Sequence, residues 1–495
     1  MNKNQVIQSF IELALKNQRI QIEDVIYHRN QLLHFLGLTS FTEVEAISDL
    51  ETQDLVSELL DIARGTGRLT DENFEGYQAA LMDFICPLPS RLNQIFWEKY
   101  KTSAHQATDY FYQLAIEVDQ VKQTAISKNI HFIYESSYAD LEITINLSKP
   151  EKDPKVIASE KLLPASNYPS CVLCTENEGL YGGGKKAARS NHRLIRLSLN
   201  NEDWAFQYSP YAYYNEHSIL LHKYHQPMKI NQRTFKNLLD FLDIFPHYMI
   251  GSNADLPIVG GSILSHDHYQ AGRHDFPMAK ARNRKSFDLL GFPEVKSNIV
   301  DWPMSVFRLT SSDKSQLLAA ANKIHEKWKL YNDESLEIRA KGMDGTEHHT
   351  ITPIARKSGI NYELDLVLRD NNVSDTYPDG IFHPHPNLHH IKKENIGLIE
   401  VMGLAILPAR LEKELAEVEK FLLKEEHKMA AIHQAWAEDL AKTQEFTAEN
   451  VREKLRQAVG SVFLQVLEDA GTFKNNKSGQ ISFQKFIDFI NDSKA

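Results

Sequence analysis

The residues best suited to chemistry lie in one stretch, Pro257 to Phe276, which reads PIVGGSILSHDHYQAGRHDF. His266, His268 and Gln270 occupy alternate positions in it. If the stretch is extended, alternate side chains share one face, so two imidazoles and an amide point into the same space. A glycine pair just upstream allows the backbone to approach a ligand closely. This combination suits a phosphate group that must be both attacked and held.

Two other interpretations of the same histidines stay open at this point. The chain has 21 histidines, and His266 and His268 would then form a surface cluster without a function. Alternatively they form half of a metal site, because neutral imidazole is a frequent zinc ligand.

A second motif, Cys171-Val-Leu-Cys174, has the C-x2-C spacing of redox sites, of zinc sites and of some plain turns. His225 and His266 are candidates for two further ligands, and two thiolates with two imidazoles complete a tetrahedral zinc shell. Such a shell leaves no open position, so the zinc would be structural. It would anchor His266, and with it the neighbouring His268.

The glycine-rich run from Gly179 to Lys186 almost spells a P-loop but lacks the Ser or Thr that would take magnesium. We therefore reject a P-loop NTPase. With Arg189, Asn191 and Arg193 behind it, the run either meets an anion or forms a mobile surface loop.

Two further patterns suggest metals. His383-Pro-His385, followed by His389 and His390, indicates either a second metal site or a histidine-rich turn, and the turn is favoured slightly. The stretch from Lys474 to Lys485 imitates an EF-hand loop, but lysine at the first and last ligand positions excludes calcium.

Composition restricts the class of protein. At 495 residues the chain should fold as two or more domains, and its net charge of −11 argues against a general binder of nucleic acid or membrane surfaces. Its longest apolar run, Ile396 to Ala409, is short and carries Glu400, so it does not span a bilayer. Three cysteines and the absence of an export signal predict a cytoplasmic protein.

Hydrophobic periodicity predicts an α+β fold in four parts: a helical region 1–125, α+β units at 126–295 and 296–410, and a helical region 411–495. Half-buried strands are expected at Leu141 to Leu147 and at Tyr362 to Leu368, where apolar and polar residues alternate. Each strand is linked to a His-x-His motif, which suggests a duplicated unit. The C-terminal helices would serve packing or a homodimer surface.

Longer runs point to one family. His266-Asp-His268-Tyr-Gln270, the C-x2-C loop and the run FQYSPYAYYNEH (Phe206 to His217) resemble galactose-1-phosphate uridylyltransferases of the second, bacterial type, within the histidine-triad superfamily. LEITINLSKPEKDPK (Leu141 to Lys155) and GRHDFPM (Gly272 to Met278) fit the same type.

The resemblance implies duplicated histidine-triad-like units and a ping-pong reaction, in which UDP-glucose and galactose 1-phosphate exchange UMP through a uridylyl-histidine. His268 would be the nucleophile, and Gln270 would hold the phosphoryl oxygens. The residues implied in binding are as follows: Cys171, Cys174, His225 and His266 for zinc, and Asn253, Gly261 and Ser262 for the uridylyl group.

The chain also departs from the family's first type. The glutamate of that type's second metal site has no clear counterpart here, since Arg284 lies near its expected position. The hexose-binding glutamate also has no match, because the stretch Gly403 to Arg410 is shorter and offers Ala405; Glu400 is a candidate substitute. Two alternatives remain: a dinucleoside-polyphosphate phosphorylase or other nucleotidyltransferase, and a non-catalytic module that binds zinc and nucleotide.

Overall fold

Fifteen α-helices are present in the computed structural model over the residues that it describes, which are 2–47, 51–148, 168–182, 186–261 and 263–492. The helices are α1 Lys3–Lys16, α2 Val25–Phe35, α3 Thr52–Gly65, α4 Phe74–Asp83, α5 Pro89–Tyr100, α6 Ala104–Glu117, α7 Gln123–Ile126, α8 Gln232–Ile244, α9 Pro277–Lys280, α10 Lys314–Trp328, α11 Leu398–Val401, α12 Arg410–Leu422, α13 Gln434–Thr443, α14 Val451–Ala470 and α15 Lys477–Asn491. None of these helices is long and apolar enough to cross a membrane.

Thirteen β-strands accompany these helices in the described part of the chain, and the predicted α+β class is confirmed. They are β1 Ile130–Tyr134, β2 Leu141–Ile145, β3 Ile195–Leu199, β4 Glu202–Tyr208, β5 Ser218–His222, β6 Met249–Gly251, β7 His268–Gly272, β8 Asn283–Phe287, β9 Lys296–Val300, β10 Val306–Ser311, β11 His349–Ser358, β12 Asn361–Asp370 and β13 Leu404–Leu407.

The chain divides into two units. The first comprises Met1–Thr124, Pro150–Ala212 and Glu216–Gln226, and the second comprises Ala125–Lys149, Tyr213–Asn215 and Pro227–Ala495. The four-part division expected from periodicity and the duplication of histidine-triad-like units stay predictions.

The first unit starts with helices, as the sequence predicts. Helix α1 buries Val6 and Phe10 on one face, and the Asn2 side chain caps it by accepting a hydrogen bond from the Asn4 amide. Helix α5 begins at Pro89, just after the proline-rich turn, because proline is tolerated where a helix needs no N–H donor. Strands β3, β4 and β5 form antiparallel pairs, and Asn200 and Asn201 make the two-residue hairpin between β3 and β4.

The second unit contains two sets of paired strands. In the smaller set β2 is central, antiparallel to β1 and parallel to β13. In the larger set seven strands follow the order β7-β6-β11-β12-β10-β9-β8, and every pair is antiparallel. Helices α8 and α10 pack against each other; α8 also packs against β11, and α10 against β10 and β12.

Both predicted alternating strands form, but the expectation that they are half-buried is wrong. Thr144 on the polar side of β2 is buried, because β2 lies between two other strands and the Thr144 hydroxyl meets the His131 imidazole. Asp365 in β12 is 0% exposed, because Arg308 and Arg356 on the neighbouring strands neutralise it.

Other boundaries differ slightly from the prediction. The strand expected from Trp302 begins at Val306, since the intervening Pro303 cannot donate to a ladder of hydrogen bonds. The helical C-terminal region is confirmed as α12 to α15. Leu411 and Val418 of the predicted apolar stripe are fully buried, so this stripe forms core; a homodimer surface stays a prediction.

Candidate active site and metal-binding cluster

The His-Asp-His-Tyr-Gln motif enters strand β7, which begins at His268, and His266 lies in the bend just before it. Tyr269 accepts a hydrogen bond from Asn237 of α8 (3.0 Å), and Asp267 forms an ion pair with Arg233 of the same helix. Because side chains alternate along a strand, His268 and Gln270 lie on the face opposite to Tyr269. The expected face shared by three side chains is reduced to His268 and Gln270, because His266 lies before the strand begins.

The imidazole of His268 is oriented by the backbone. Its Nδ1 lies 2.8 Å from the His266 carbonyl oxygen, which can only accept, so Nδ1 carries the ring proton. The lone pair therefore lies on Nε2, which has no hydrogen-bond partner among the described residues. Burial lowers the pKa of His268 to about 4, so the ring is neutral and nucleophilic at pH 7.

A tight loop precedes the motif and brings Asn253 against Gly261. A Cβ atom on Gly261 would lie 2.8 Å from the Asn253 amide nitrogen, so only glycine allows this approach. The Asn253 side-chain oxygen accepts from the Leu398 amide at 2.8 Å, which fixes the side chain. Ser262, the third residue implied in uridylyl binding, lies outside the described residues.

The C-x2-C loop has the local geometry of a metal knuckle. The Cys171 and Cys174 sulfurs are 3.6 Å apart, and the Cys174 sulfur is 3.3 Å from Nδ1 of His225. Backbone amides point at the sulfurs, with Leu173 N 3.3 Å from the Cys171 sulfur. The Asn177 side chain holds the carbonyls of both cysteines at 2.8 Å, which shapes the turn.

The potential ligand atoms of Cys171, Cys174, His225 and His266 all lie within 4.8 Å of one another. Two sulfurs and two imidazole nitrogens at such spacings fit a tetrahedral zinc shell, in which Zn–S is about 2.3 Å and Zn–N about 2.1 Å. Burial raises the pKa of the Cys171 thiol to about 11, so a metal must displace the thiol protons to bind. The cluster is able to bind a metal ion.

Arg189 and Asn191, predicted to meet an anion, lie in the first unit. The Arg189 guanidinium donates to Nδ1 of His192 at 2.9 Å, and burial lowers its pKa. The Asn191 amide donates to the Val118 carbonyl at 2.7 Å, so this donor holds the loop to the end of α6. Part of the glycine-rich run, residues 183–185, lies outside the described residues.

Three of the four histidines considered for a second metal site make hydrogen bonds within a turn. His385 donates from Nε2 to the Ile381 carbonyl (3.1 Å), and His389 donates from Nε2 to the Pro384 carbonyl (2.9 Å). Nε2 of His383 is 3.3 Å from the Asn395 side-chain oxygen. Both ring nitrogens of His383 and His385 have partners, since Nδ1 of His383 lies 3.3 Å from the Pro384 carbonyl oxygen and Nδ1 of His385 lies 3.3 Å from Asp469, and this supports the favoured interpretation, a histidine-rich turn, for these two residues.

Two kinds of supporting residue were missed from the sequence. Arg233 and Asn237 lie one turn apart on α8. A polar pair at this spacing on an otherwise apolar helix face indicates contacts with buried polar groups, and we did not use this signal. The contact between Asn253 and Leu398 spans 145 residues, and no local pattern announces it. Glu400 caps α11 and bonds Lys392 at 3.1 Å, so its carboxylate serves the fold here.

Two family models match most of the chain. Residues 18–227 match the N-terminal domain of galactose-1-phosphate uridyl transferase, and residues 240–438 match the C-terminal domain. A galactose-1-phosphate uridylyltransferase of Lactococcus lactis subsp. lactis is 62% identical over 99% of this chain and 100% of its own length. The chain therefore belongs to the galactose-1-phosphate uridylyltransferase family.

More distant proteins were also matched. The Enterococcus faecalis enzyme of the same name is 52% identical over 98% of both chains. A solved yeast Ap4A phosphorylase in complex with Ap4A is 13% identical, covers 64% of this chain and 91% of its own, and superposes with a TM-score of 0.36. That likeness is too slight to carry an inference.

Proposed function

We propose that this chain is a UDP-glucose–hexose-1-phosphate uridylyltransferase, which converts UDP-glucose and galactose 1-phosphate into glucose 1-phosphate and UDP-galactose. Full-length relatives at 52% and 62% identity carry the name galactose-1-phosphate uridylyltransferase. The observation that carries the mechanism is the bond from His268 Nδ1 to the His266 carbonyl, because it leaves Nε2 as the attacking atom. We also propose that the protein is cytoplasmic, because the reducing cytoplasm keeps the thiols of Cys171 and Cys174 reduced.

In the first half-reaction, Nε2 of His268 attacks the α-phosphorus of UDP-glucose. The bond from that phosphorus to the oxygen bridging the two phosphates breaks, and glucose 1-phosphate leaves with the electron pair. The Nδ1 proton stays on the ring, so the uridylylated imidazole is cationic. The His266 carbonyl oxygen faces that proton and stabilises the positive charge.

In the second half-reaction, a phosphate oxygen of galactose 1-phosphate attacks the same phosphorus. The bond to Nε2 breaks, and the neutral imidazole is regenerated with its original tautomer. Gln270, on the same face as His268, donates its amide N–H groups to the phosphoryl oxygens in both steps. An amide does not relay protons readily, and this favours transfer to a sugar phosphate over hydrolysis.

The proposed nucleotide contacts come from two places in the sequence. Asn253, Gly261 and Ser262 would hold the uridylyl group, and the close approach of the Asn253 side chain to Gly261 supports a narrow backbone cradle there. Arg189 would meet the anionic part of the substrate, while the Asn191 amide holds the loop that carries Arg189. For Arg189 this is supported by the absence of a carboxylate among the contacts found for its guanidinium in the described chain.

We also propose that the bound metal is zinc, held by Cys171, Cys174, His225 and His266. Zinc there would have a structural role, because four protein ligands leave no position for substrate. It would fix the His266 ring, while the carbonyl of the same residue orients His268. The second metal of the family's first type is not part of this proposal.

Isotope exchange tests the proposed reaction. The protein is incubated with UDP-glucose and labelled glucose 1-phosphate, without galactose 1-phosphate. A ping-pong enzyme moves the label into UDP-glucose, because the first half-reaction is reversible on its own. A non-catalytic nucleotide-binding module would bind UDP-glucose and exchange no label, and this result would sink the proposal.

Cys174→Ser tests the metal site. Loss of one thiolate should lower bound zinc, measured by elemental analysis, and also thermal stability, because ligand binding contributes folding free energy. Cys86→Ser is the matched control, since Cys86 is also buried but its sulfur contacts only the Asn191 carbonyl among the hydrogen bonds found in the described chain. It should keep its zinc. Metal-replete wild type without zinc would contradict the assignment.

A further inference from the structure

Away from the catalytic motif, two histidines of the second unit bury their rings side by side. His390 follows the short turn Pro386–Leu388, and His433 ends the turn Ala431–His433 that leads into α13. Their ring centroids are 5.7 Å apart and the rings are almost perpendicular, at 87°. The two residues are 5% and 0% exposed.

Each ring has one nitrogen fixed as a donor. Nδ1 of His390 donates to the Asn387 carbonyl at 2.9 Å, and Nε2 of His433 donates to the Glu414 carboxylate at 2.7 Å. A carbonyl or carboxylate oxygen only accepts, so these nitrogens carry the ring protons. Arg410 pairs with Glu414 and keeps the carboxylate in place.

The other nitrogen of each ring is a bare acceptor. Nε2 of His390 and Nδ1 of His433 are buried and have no hydrogen-bond partner among the described residues. A buried acceptor without a partner costs folding free energy, so two of them on rings whose centroids are 5.7 Å apart call for an explanation. Burial lowers the pKa of His390 to about 4, so its lone pair is available at neutral pH.

This arrangement is the one that metal-binding imidazoles adopt. Their second nitrogen donates to a carboxylate or a backbone carbonyl, as in His433 and His390 respectively. A tetrahedral ion with metal–nitrogen distances of about 2.0–2.1 Å places the centroids of two bound rings about 5–6 Å apart. The separation of 5.7 Å found here fits that geometry.

We propose that Nε2 of His390 and Nδ1 of His433 bind a divalent first-row transition ion, with water completing its shell. Imidazole ligands suit zinc, copper and nickel. With two protein ligands instead of four, the site binds zinc more weakly than the cysteine-containing cluster, so it fills only in excess metal. The bound ion joins the histidine-rich turn to the start of α13 and stiffens that end of the second unit.

The competing explanation is one buried water molecule that donates a hydrogen bond to each bare nitrogen. Zinc titration separates the two. The full-length, zinc-loaded protein is dialysed against increasing zinc chloride, and bound zinc per chain is measured by elemental analysis. A second zinc ion per wild-type chain is expected, and saturation at one ion would overturn the proposal.

Two substitutions remove only the bare nitrogens. His390→Asn keeps an N–H at the δ position toward Asn387, and His433→Gln keeps one at the ε position toward Glu414. Each should lose the second zinc ion. The matched control is His385→Gln, because both ring nitrogens of the nearby His385 are already engaged, Nε2 with the Ile381 carbonyl and Nδ1 with the Asp469 carboxylate. A second ion retained in both of the first two variants would place it elsewhere and refute the site.

A crystal of the wild-type protein soaked in zinc chloride decides the question without any variant. Anomalous scattering should give a peak about 2 Å from both bare nitrogens. Density for water at that position, without an anomalous signal at saturating zinc, would show that the two nitrogens serve a buried water molecule instead.

Discussion

Two buried polar groups of the second unit, Asp365 in β12 and His268 in β7, have opposite surroundings. Asp365 is 0% exposed, and its oxygens accept two hydrogen bonds from Arg308 (2.8 and 2.9 Å) and one from Arg356 (2.9 Å). His268 is nearly as buried but uses only Nδ1, toward the His266 carbonyl. Both oxygens of Asp365, which supports the fold, are engaged, whereas Nε2 of His268, the proposed nucleophile, is open.

His268→Ala should cause the largest effect, a fall in turnover of about 10⁴-fold or more, because no other group replaces the nucleophile. The melting temperature should change little, since only one hydrogen bond is lost. Uridylyl transfer and thermal unfolding are measured on the same preparation.

Tyr269→Phe is the control for that change, because Tyr269 is the next residue and lies on the opposite face of β7. It should retain activity and lose about 1 kcal/mol of unfolding free energy with the bond from Asn237. A folded His268→Ala protein with near-normal turnover would show that the open nitrogen is not the nucleophile.

Asp365→Asn should show the reverse pattern. It leaves the Arg308 and Arg356 charges without their buried counter-charge, so unfolding free energy should fall by about 3–5 kcal/mol, while turnover per folded molecule is unchanged. Urea unfolding measures the loss. Asp203→Asn is the control: Asp203 pairs with Lys223 on the surface, where both side chains are exposed, and its loss should change the unfolding free energy little.

The sequence predicted the residues of the site, which form short local motifs, but it did not predict the burial of Asp365, which depends on contacts between distant strands. Two local patterns were informative: the alternate positions of His268 and Gln270, and the spacing of Cys171 and Cys174. Spacing over so few residues restricts where their side chains lie relative to each other, whatever the rest of the fold. A charged residue in an alternating strand reads as solvent-facing, so the burial of Asp365 was not foreseen. Its partners come from β10 and β11, whose pairing with β12 no local pattern specifies.

Gln270→His should give a middle-sized effect. Removing an amide donor from the phosphoryl oxygens costs on the order of 3 kcal/mol, or about a hundredfold in rate, in both half-reactions. The imidazole adds a titratable group beside the adduct, so the share of UDP-glucose lost to hydrolysis should rise. The measurement is UMP release against UDP-galactose formation. An unchanged ratio at an unchanged rate would mean that Gln270 does not contact the phosphoryl group.

The smallest predicted effect is on how the free energy of unfolding of the Asp365→Asn variant changes as the pH falls. Burial alone would raise the pKa of Asp365, but the Arg356 and Arg308 charges outweigh it, and the pKa lies below the ordinary value of an aspartate. The unfolded chain therefore binds this proton first as pH falls. The contribution of the ionised Asp365 carboxylate to the free energy of unfolding is complete above about pH 4 and is lost as the pH falls below that value. Unfolding free energy should fall less steeply with acid in Asp365→Asn than in wild type; equal slopes would contradict the pairing.

The most direct test of the open nitrogen of His268 is the intact mass of the protein after incubation with UDP-glucose alone. The sample is quenched at alkaline pH, because a phosphorus–nitrogen bond to imidazole is labile in acid. Wild type should gain the mass of one uridylyl group and lose it when galactose 1-phosphate is added, and His268→Ala should gain none. An adduct on His268→Ala, or wild-type turnover without any adduct, would contradict the account.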